Sequence, residues 1–226
     1  MKILFFNISN AIKEKDETIN IRWKWLFRPR VDSFCYKKDY DVTYLSRHSG
    51  NGPIFSHPKV TYLKGDIFHA LSCDKEQTYD CMIDCVGTIH PKYLQSLNVD
   101  ATKEAIILSQ NLSIKHFVYI SANSGFPSYL RSKEKAERMV KEKASSYLIV
   151  KPSLLFGPKR PMSLLLMVFF KMILLLPTYP SVIDEIYPLD VRKVAEVIIA
   201  HLEKSYGEKT ILSLNDLKGT ILAIQK

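Results

Sequence analysis

Six short apolar runs recur along this chain, each followed by a stretch of different character, and that rhythm constrains the fold most tightly. The runs are Ile3–Phe6, Asp41–Leu45, Val60–Leu63, Cys81–Val86, Phe117–Ile120 and Tyr147–Val150. Helical spacing covers roughly 31–38, 91–110, 130–144 and 190–204. Runs so rich in aliphatic and β-branched side chains suit strands buried on both faces. Their alternation with helices predicts an α/β fold: a doubly wound parallel sheet, Rossmann-like, with helices on both faces and a small C-terminal appendage. With 226 residues, 46% of them hydrophobic, and no repeat, one domain spanning 1–226 is expected.

Two segments interrupt the rhythm. Residues 8–30 read as an atypical insertion carrying Arg22, Trp23, Trp25, Arg28 and Arg30. Residues 162–176 read as an apolar helix with Lys171 as its only charge. At ~1.5 Å per residue that helix is too short for a ~30 Å hydrocarbon core, so it is read as buried or substrate-facing, or else docked on a membrane surface or protein complex.

The net charge of +9 is concentrated between Arg131 and Arg160, where nine basic residues face three acidic ones. Such a face attracts a nucleotide, an anionic lipid or a nucleic acid, or is simply a solvated helix surface. Nucleic acid is disfavoured, because the window lacks zinc-finger spacing and the Gly-aromatic signature of an RRM sheet. Cys35, Cys73, Cys81 and Cys85 form no CxxC pair, which predicts reduced structural thiols and no metal site. The chain opens on a strand-like run rather than a signal or transit peptide.

The stretch Pro127-Ser-Tyr-Leu-Arg-Ser-Lys133 places Tyr129 and Lys133 four residues apart, one above the other on a helix face. An ammonium beside a phenol favours the phenolate and makes the tyrosine a better acid/base. The spacing alone is common.

Several segments in register carry a resemblance. Tyr40–Arg47, Leu63-Lys-Gly-Asp-Ile67, Asn98-Val-Asp-Ala-Thr-Lys-Glu104, Tyr119-Ile-Ser-Ala122, Val150-Lys-Pro-Ser-Leu-Leu-Phe-Gly-Pro158 and Tyr187–Glu196 stand in the order found in extended and atypical short-chain dehydrogenase/reductases. Two mitochondrial branches look closest: the nucleotide-binding accessory subunit of respiratory complex I and the fungal reductase-like proteins associated with coenzyme Q biosynthesis. The resemblance implies an NAD(P)-binding domain, a mitochondrial setting with the cytoplasm as the alternative, and a nucleotide cofactor as partner.

It also implies roles. Tyr129 would be the acid/base, Lys133 its ribose-binding and pKa-lowering partner, and Ser121 the hydroxyl that polarises a carbonyl. Ala122 fits that last position better, however, and only eight residues separate Ser121 from Tyr129. Cofactor contacts would come from Asn7, Arg47, Asp66, Ile67, Val86, Gly87, Pro152 and Ser153, together with Tyr129 and Lys133. Arg47 in place of an acidic residue tilts the expectation to NADP(H) over NAD(H), since a guanidinium suits a 2′-phosphate. Asp66 either meets the adenine amine or caps the following turn.

One departure is large. The glycine-rich phosphate turn should follow Phe6, yet the first glycine is Gly50. Without glycines, β-carbons crowd the approach of backbone N–H groups to a pyrophosphate. Three explanations stand: a lost cofactor, phosphates held by Lys13, Lys15, Arg22, Arg28 or Arg30, or an incorrectly predicted gene across 8–30. The resemblance implies an atypical NAD(P)(H)-binding protein of the short-chain dehydrogenase/reductase type, an oxidoreductase for a hydrophobic, quinone-related substrate. The alternative is a non-catalytic accessory or assembly subunit of a mitochondrial membrane complex.

Overall fold

All six apolar runs become strands of one sheet in the computed structural model, which describes residues 2–7, 41–50, 53–72, 78–157, 168, 172 and 186–224. They are β1 (Lys2–Asn7), β2 (Asp41–Ser46), β3 (Val60–Lys64), β4 (Cys81–Asp84), β5 (His116–Ile120) and β6 (Ser146–Val150). The C-terminal stretch expected as an appendage is drawn into the same sheet. Its strand β9 (Lys209–Leu212) pairs in parallel with β6. The order is β3-β2-β1-β4-β5-β6-β9. A two-residue ribbon, β7 (Leu155–Phe156) with β8 (Leu189–Asp190), lies outside it.

Helices cover both faces, as the doubly wound arrangement requires. On one face α1 (Ala101–Asn111) and α2 (Pro127–Lys143) bury Ala105, Ile106, Ala136 and Val140 against Met82, Phe117, Tyr119 and Ile149. On the other, α3 (Val191–Lys204) and α4 (Leu214–Ile224) bury Val194, Ile198, Leu202 and Leu217 against Ile83, Val118, Leu148 and Leu212. Neighbours in sequence therefore point to opposite cores: Met82 against Ile83, Phe117 against Val118, Leu148 against Ile149. That is the period-two geometry of a strand. Pro127 starts α2 where its missing N–H costs nothing, and the Asp190 carboxylate caps α3 by accepting the Arg192 N–H at 2.8 Å.

Six strands of the sheet run the same way and β1 runs against them. It pairs antiparallel with β2, Lys2 opposite Ser46 and Asn7 opposite Asp41, and antiparallel with β4, Ile3 opposite Asp84. The expectation of an all-parallel sheet is thus corrected at this strand, which stands between β2 and β4 in the opposite direction. Its C-terminal end, Asn7, thus reaches the amino edge of the parallel strands, beside Asp41, where β2 begins.

The insertion at 8–30 and the helix expected at 31–38 lie outside the described residues. So does most of 162–176, of which Val168 and Met172 are helical and exposed. No helix among the described residues is long and apolar enough to cross a membrane.

Candidate functional site

The carboxyl ends of β4, β5 and β6 converge with the first two turns of α2, and the buried polar groups gather there. Lys133 is the centre. It is 5% exposed, and its ammonium donates to the Ile120 carbonyl at 2.9 Å while lying 5.0 Å from the centre of the Tyr119 ring. Burial lowers its pKa to about 8, and the nearby acidic groups, Asp84 first, oppose the fall.

Tyr129 stands one turn earlier, half-buried. Its ring packs 5.7 Å from that of Phe126 and lies against the bare backbone of Gly125. Gly125 has φ +151°, and a β-carbon there would lie 2.6 Å from Tyr129 Cδ1, so both conformation and space demand glycine. The expectation that Lys133 lowers the phenol pKa is corrected: burial raises it. The ammonium is spent on the Ile120 carbonyl, and desolvation of a phenolate dominates.

Gly87 follows β4 and is exposed; a β-carbon on it would stand 3.1 Å from Lys133 Nζ and 3.2 Å from Asn98 Oδ1. The close approach that requires glycine is therefore made, from within, by Lys133 and Asn98. Val86 is buried and donates its N–H to Asp84 Oδ1 at 2.8 Å. Pro152 is buried, its carbonyl accepts from the Asn123 N–H at 2.8 Å, and Ser153 Oγ sits 2.9 Å from Ser124 Oγ.

Ser121 is placed differently from the role expected of it. It is 3% exposed and donates its hydroxyl proton to Glu137 Oε1. Glu137 in turn pairs with Lys151 at 3.1 Å. The Ser121 proton is thereby turned inward, towards a buried carboxylate that is already neutralised.

On the other half of the edge, β2 and β3 bring Arg47 and Asp66 together, Nε to Oδ2 at 3.5 Å. Asp66 also accepts the Phe68 N–H at 3.2 Å, the turn-capping role weighed for it. Ile67 is buried in the core beneath. Asn7 does not join this group. The reversal of β1 sets it opposite Asp41, at the far edge of the sheet.

Four groups at the site carry weight that sequence reasoning passed over. Asn98 is fully buried in a π-helical turn, Gln95–Asp100, a geometry frequent at functional sites. Its carbonyl accepts the Thr88 N–H at 2.7 Å, and its amide donates to the Thr88 carbonyl at 3.0 Å and Ser132 Oγ at 2.9 Å. Asp84 is fully buried, accepts from Val86 and from Thr102 Oγ, and has its pKa raised by burial. Tyr119 is fully buried, and burial holds its phenol pKa well above the usual range. Glu137 follows Lys133 by four residues and Tyr129 by eight, so all three share one face of α2. That spacing was available as a signal. The described residues hold no cluster of groups able to bind a metal ion.

No family model and no curated protein matches the sequence. Solved structures do share its fold. The UDP-Glc/GlcNAc 4-epimerase of Campylobacter jejuni is similar over 80% of this chain and 74% of its own, with 13% identity and a TM-score of 0.51. A nucleoside-diphosphate-sugar epimerase from Staphylococcus aureus is similar over 80% of this chain and 66% of its own, with 14% identity and a TM-score of 0.50. The dTDP-4-dehydrorhamnose reductase of Bacillus anthracis, solved in complex with NADP, is similar over 68% and 66%, with 16% identity and a TM-score of 0.47. The chain thus spans about two thirds to three quarters of these proteins' lengths.

Proposed function

We propose that this chain binds a nicotinamide nucleotide along the carboxyl edge of its sheet, in the manner of an atypical short-chain dehydrogenase/reductase. One observation carries the reading. A buried ammonium, Lys133, is held between the carboxyl ends of β4 and β5 directly behind the exposed glycine Gly87, with the Tyr129 phenol one helical turn away. Open α/β sheets bind ligands at this edge.

The residues fit two of the three parts of such a cofactor. Lys133 and Tyr129 would hold the nicotinamide ribose, Gly87 would admit it, and Arg47 with Asp66 would meet the adenosine ribose. The pyrophosphate part departs from the family pattern. No glycine turn follows β1, and the amino end of that strand occupies the place between β2 and β4. When bound, the nicotinamide supplies or takes a hydride. Tyr129, whose pKa burial raises, would keep its proton at neutral pH and donate it to a carbonyl oxygen.

Calorimetric titration with NADPH and NADH tests the proposal. Binding of either, weakened tenfold or more by Lys133→Met, supports it; no binding of either at millimolar concentration refutes it. Binding should also raise Tm, by mass action on the folded state.

A second reading, an accessory or assembly subunit without catalysis, is favoured by the commitment of Ser121 to Glu137. It is favoured too by Val168 and Met172, helical, one turn apart and exposed, which suit docking of the 162–176 segment. NADPH binding without oxidation in the presence of a short-chain quinone would support this reading, and turnover would exclude it. The quinone-related substrate and the mitochondrial setting rest on sequence resemblance, and subcellular fractionation tests the latter.

A further inference from the structure

We propose that Asp66 sets cofactor specificity, by holding the Arg47 guanidinium in an ion pair that a 2′-phosphate must break and a free 2′-hydroxyl need not. The inference rests on the nucleotide-binding reading above and concerns its adenosine half. β2 and β3 are neighbouring parallel strands whose last paired residues are Ser46 and Lys64, and the Gly65 N–H extends the pairing to the Ser46 carbonyl at 3.2 Å. Arg47 and Asp66 consequently leave the sheet side by side.

Their anchoring and exposure differ. Asp66 is anchored by the Phe68 N–H, and its side chain is 22% exposed, whereas that of Arg47 is 60% exposed. Arginine is the partner that can swing. A ribose with a free 2′-hydroxyl can donate to the Asp66 carboxylate and leave the pair standing. A 2′-phosphate needs the guanidinium for itself and brings its charge towards a fixed carboxylate, an arrangement of like charges that disfavours it. A pair this exposed is weak, so the barrier is small and both cofactors remain acceptable. The acidic group that dinucleotide folds commonly place after the second strand is here delivered from the third, opposite the arginine.

The test uses adenosine probes that leave the nicotinamide half out: 2′,5′-ADP and 5′-AMP, titrated calorimetrically at fixed ionic strength. Asp66→Asn keeps an acceptor for the Phe68 N–H and removes the charge. It should raise the preference for 2′,5′-ADP over 5′-AMP by about fivefold, the ratio that corresponds to loss of an exposed ion pair. Asp66→Ser, which also keeps the turn, should shift it the same way, and Arg47→Ala should abolish the preference. An unchanged or lowered preference in both Asp66 variants overturns the inference while leaving nucleotide binding intact. Failure of either probe, and of NADPH and NADH, to bind the wild-type protein overturns the binding reading and this inference together.

Discussion

Acid should weaken this fold through one histidine at the edge of the sheet opposite the candidate site. His116 opens β5, is 2% exposed, and sits with Nδ1 2.8 Å from Ser146 Oγ and its ring 5.4 Å from that of Tyr206. Its backbone N–H donates to the Asp80 carbonyl, which also accepts the Tyr206 hydroxyl. His201 approaches from α3, and its Nε2 is buried without a hydrogen-bond partner among the described residues. Burial, and next the proximity of His201, lower the His116 pKa from 6.5 to about 4.

The folded state therefore refuses a proton that the unfolded chain accepts once the pH falls below 6.5. Stability is lost progressively from pH 6.5 down to about 4, at up to ~1.4 kcal/mol per pH unit, and His116 contributes no further loss below that window. Across it the loss from this group amounts to roughly 3 kcal/mol. Urea unfolding at several pH values across the window, on the wild type and on His116→Gln, isolates the effect from the titration of other groups. Glutamine keeps a donor and an acceptor but cannot titrate here, so the variant should lose about 3 kcal/mol less on acidification. Parallel stability curves for the two proteins would refute the reasoning.

Lys133→Met should forfeit nucleotide binding while keeping the fold. The wild-type lysine, with a folded pKa of about 8 against 10.5, makes stability rise from pH 8 to 10.5 as the unfolded chain alone stays protonated; the variant should lack that rise in urea titrations. Asn98→Ala leaves the Thr88 N–H and carbonyl and the Ser132 hydroxyl short of a partner, and should cost about 2–3 kcal/mol by chemical denaturation. Gly87→Ala forces a methyl group within 3.1 Å of Lys133 Nζ, and should weaken NADPH binding several-fold with little change in Tm, as calorimetry and a melting curve would show.

The sheet was legible in the sequence because buried parallel strands leave uninterrupted apolar runs, and all six runs become strands of it. The direction of β1 was not legible. Ile3–Phe6 is apolar throughout, and such a run suits a central position whichever way it points. The missing glycines after Phe6 were the one hint, since a phosphate turn is pointless at the amino edge. β9 escaped notice because Lys209-Thr-Ile-Leu212 is an edge strand, half exposed and short of apolar residues. Helical spacing did place Tyr129 and Lys133 one turn apart on one helix, as the structure has them. The bond from Ser121 to Glu137 was not legible, because its partner arrives from an element sixteen residues later and no local pattern announces it.

The reversed strand has a consequence for how the polypeptide can be shortened. A conventional crossover must travel from one rim of the sheet to the other, and pruning it would tear the strands apart. Here Asn7 and Asp41 are already neighbours across a ladder. A tight Asn-Gly hairpin could join them directly, as such turns commonly join antiparallel partners. Joined in that way, the two strands would keep their places and directions in the sheet, with no strand on either side rethreaded.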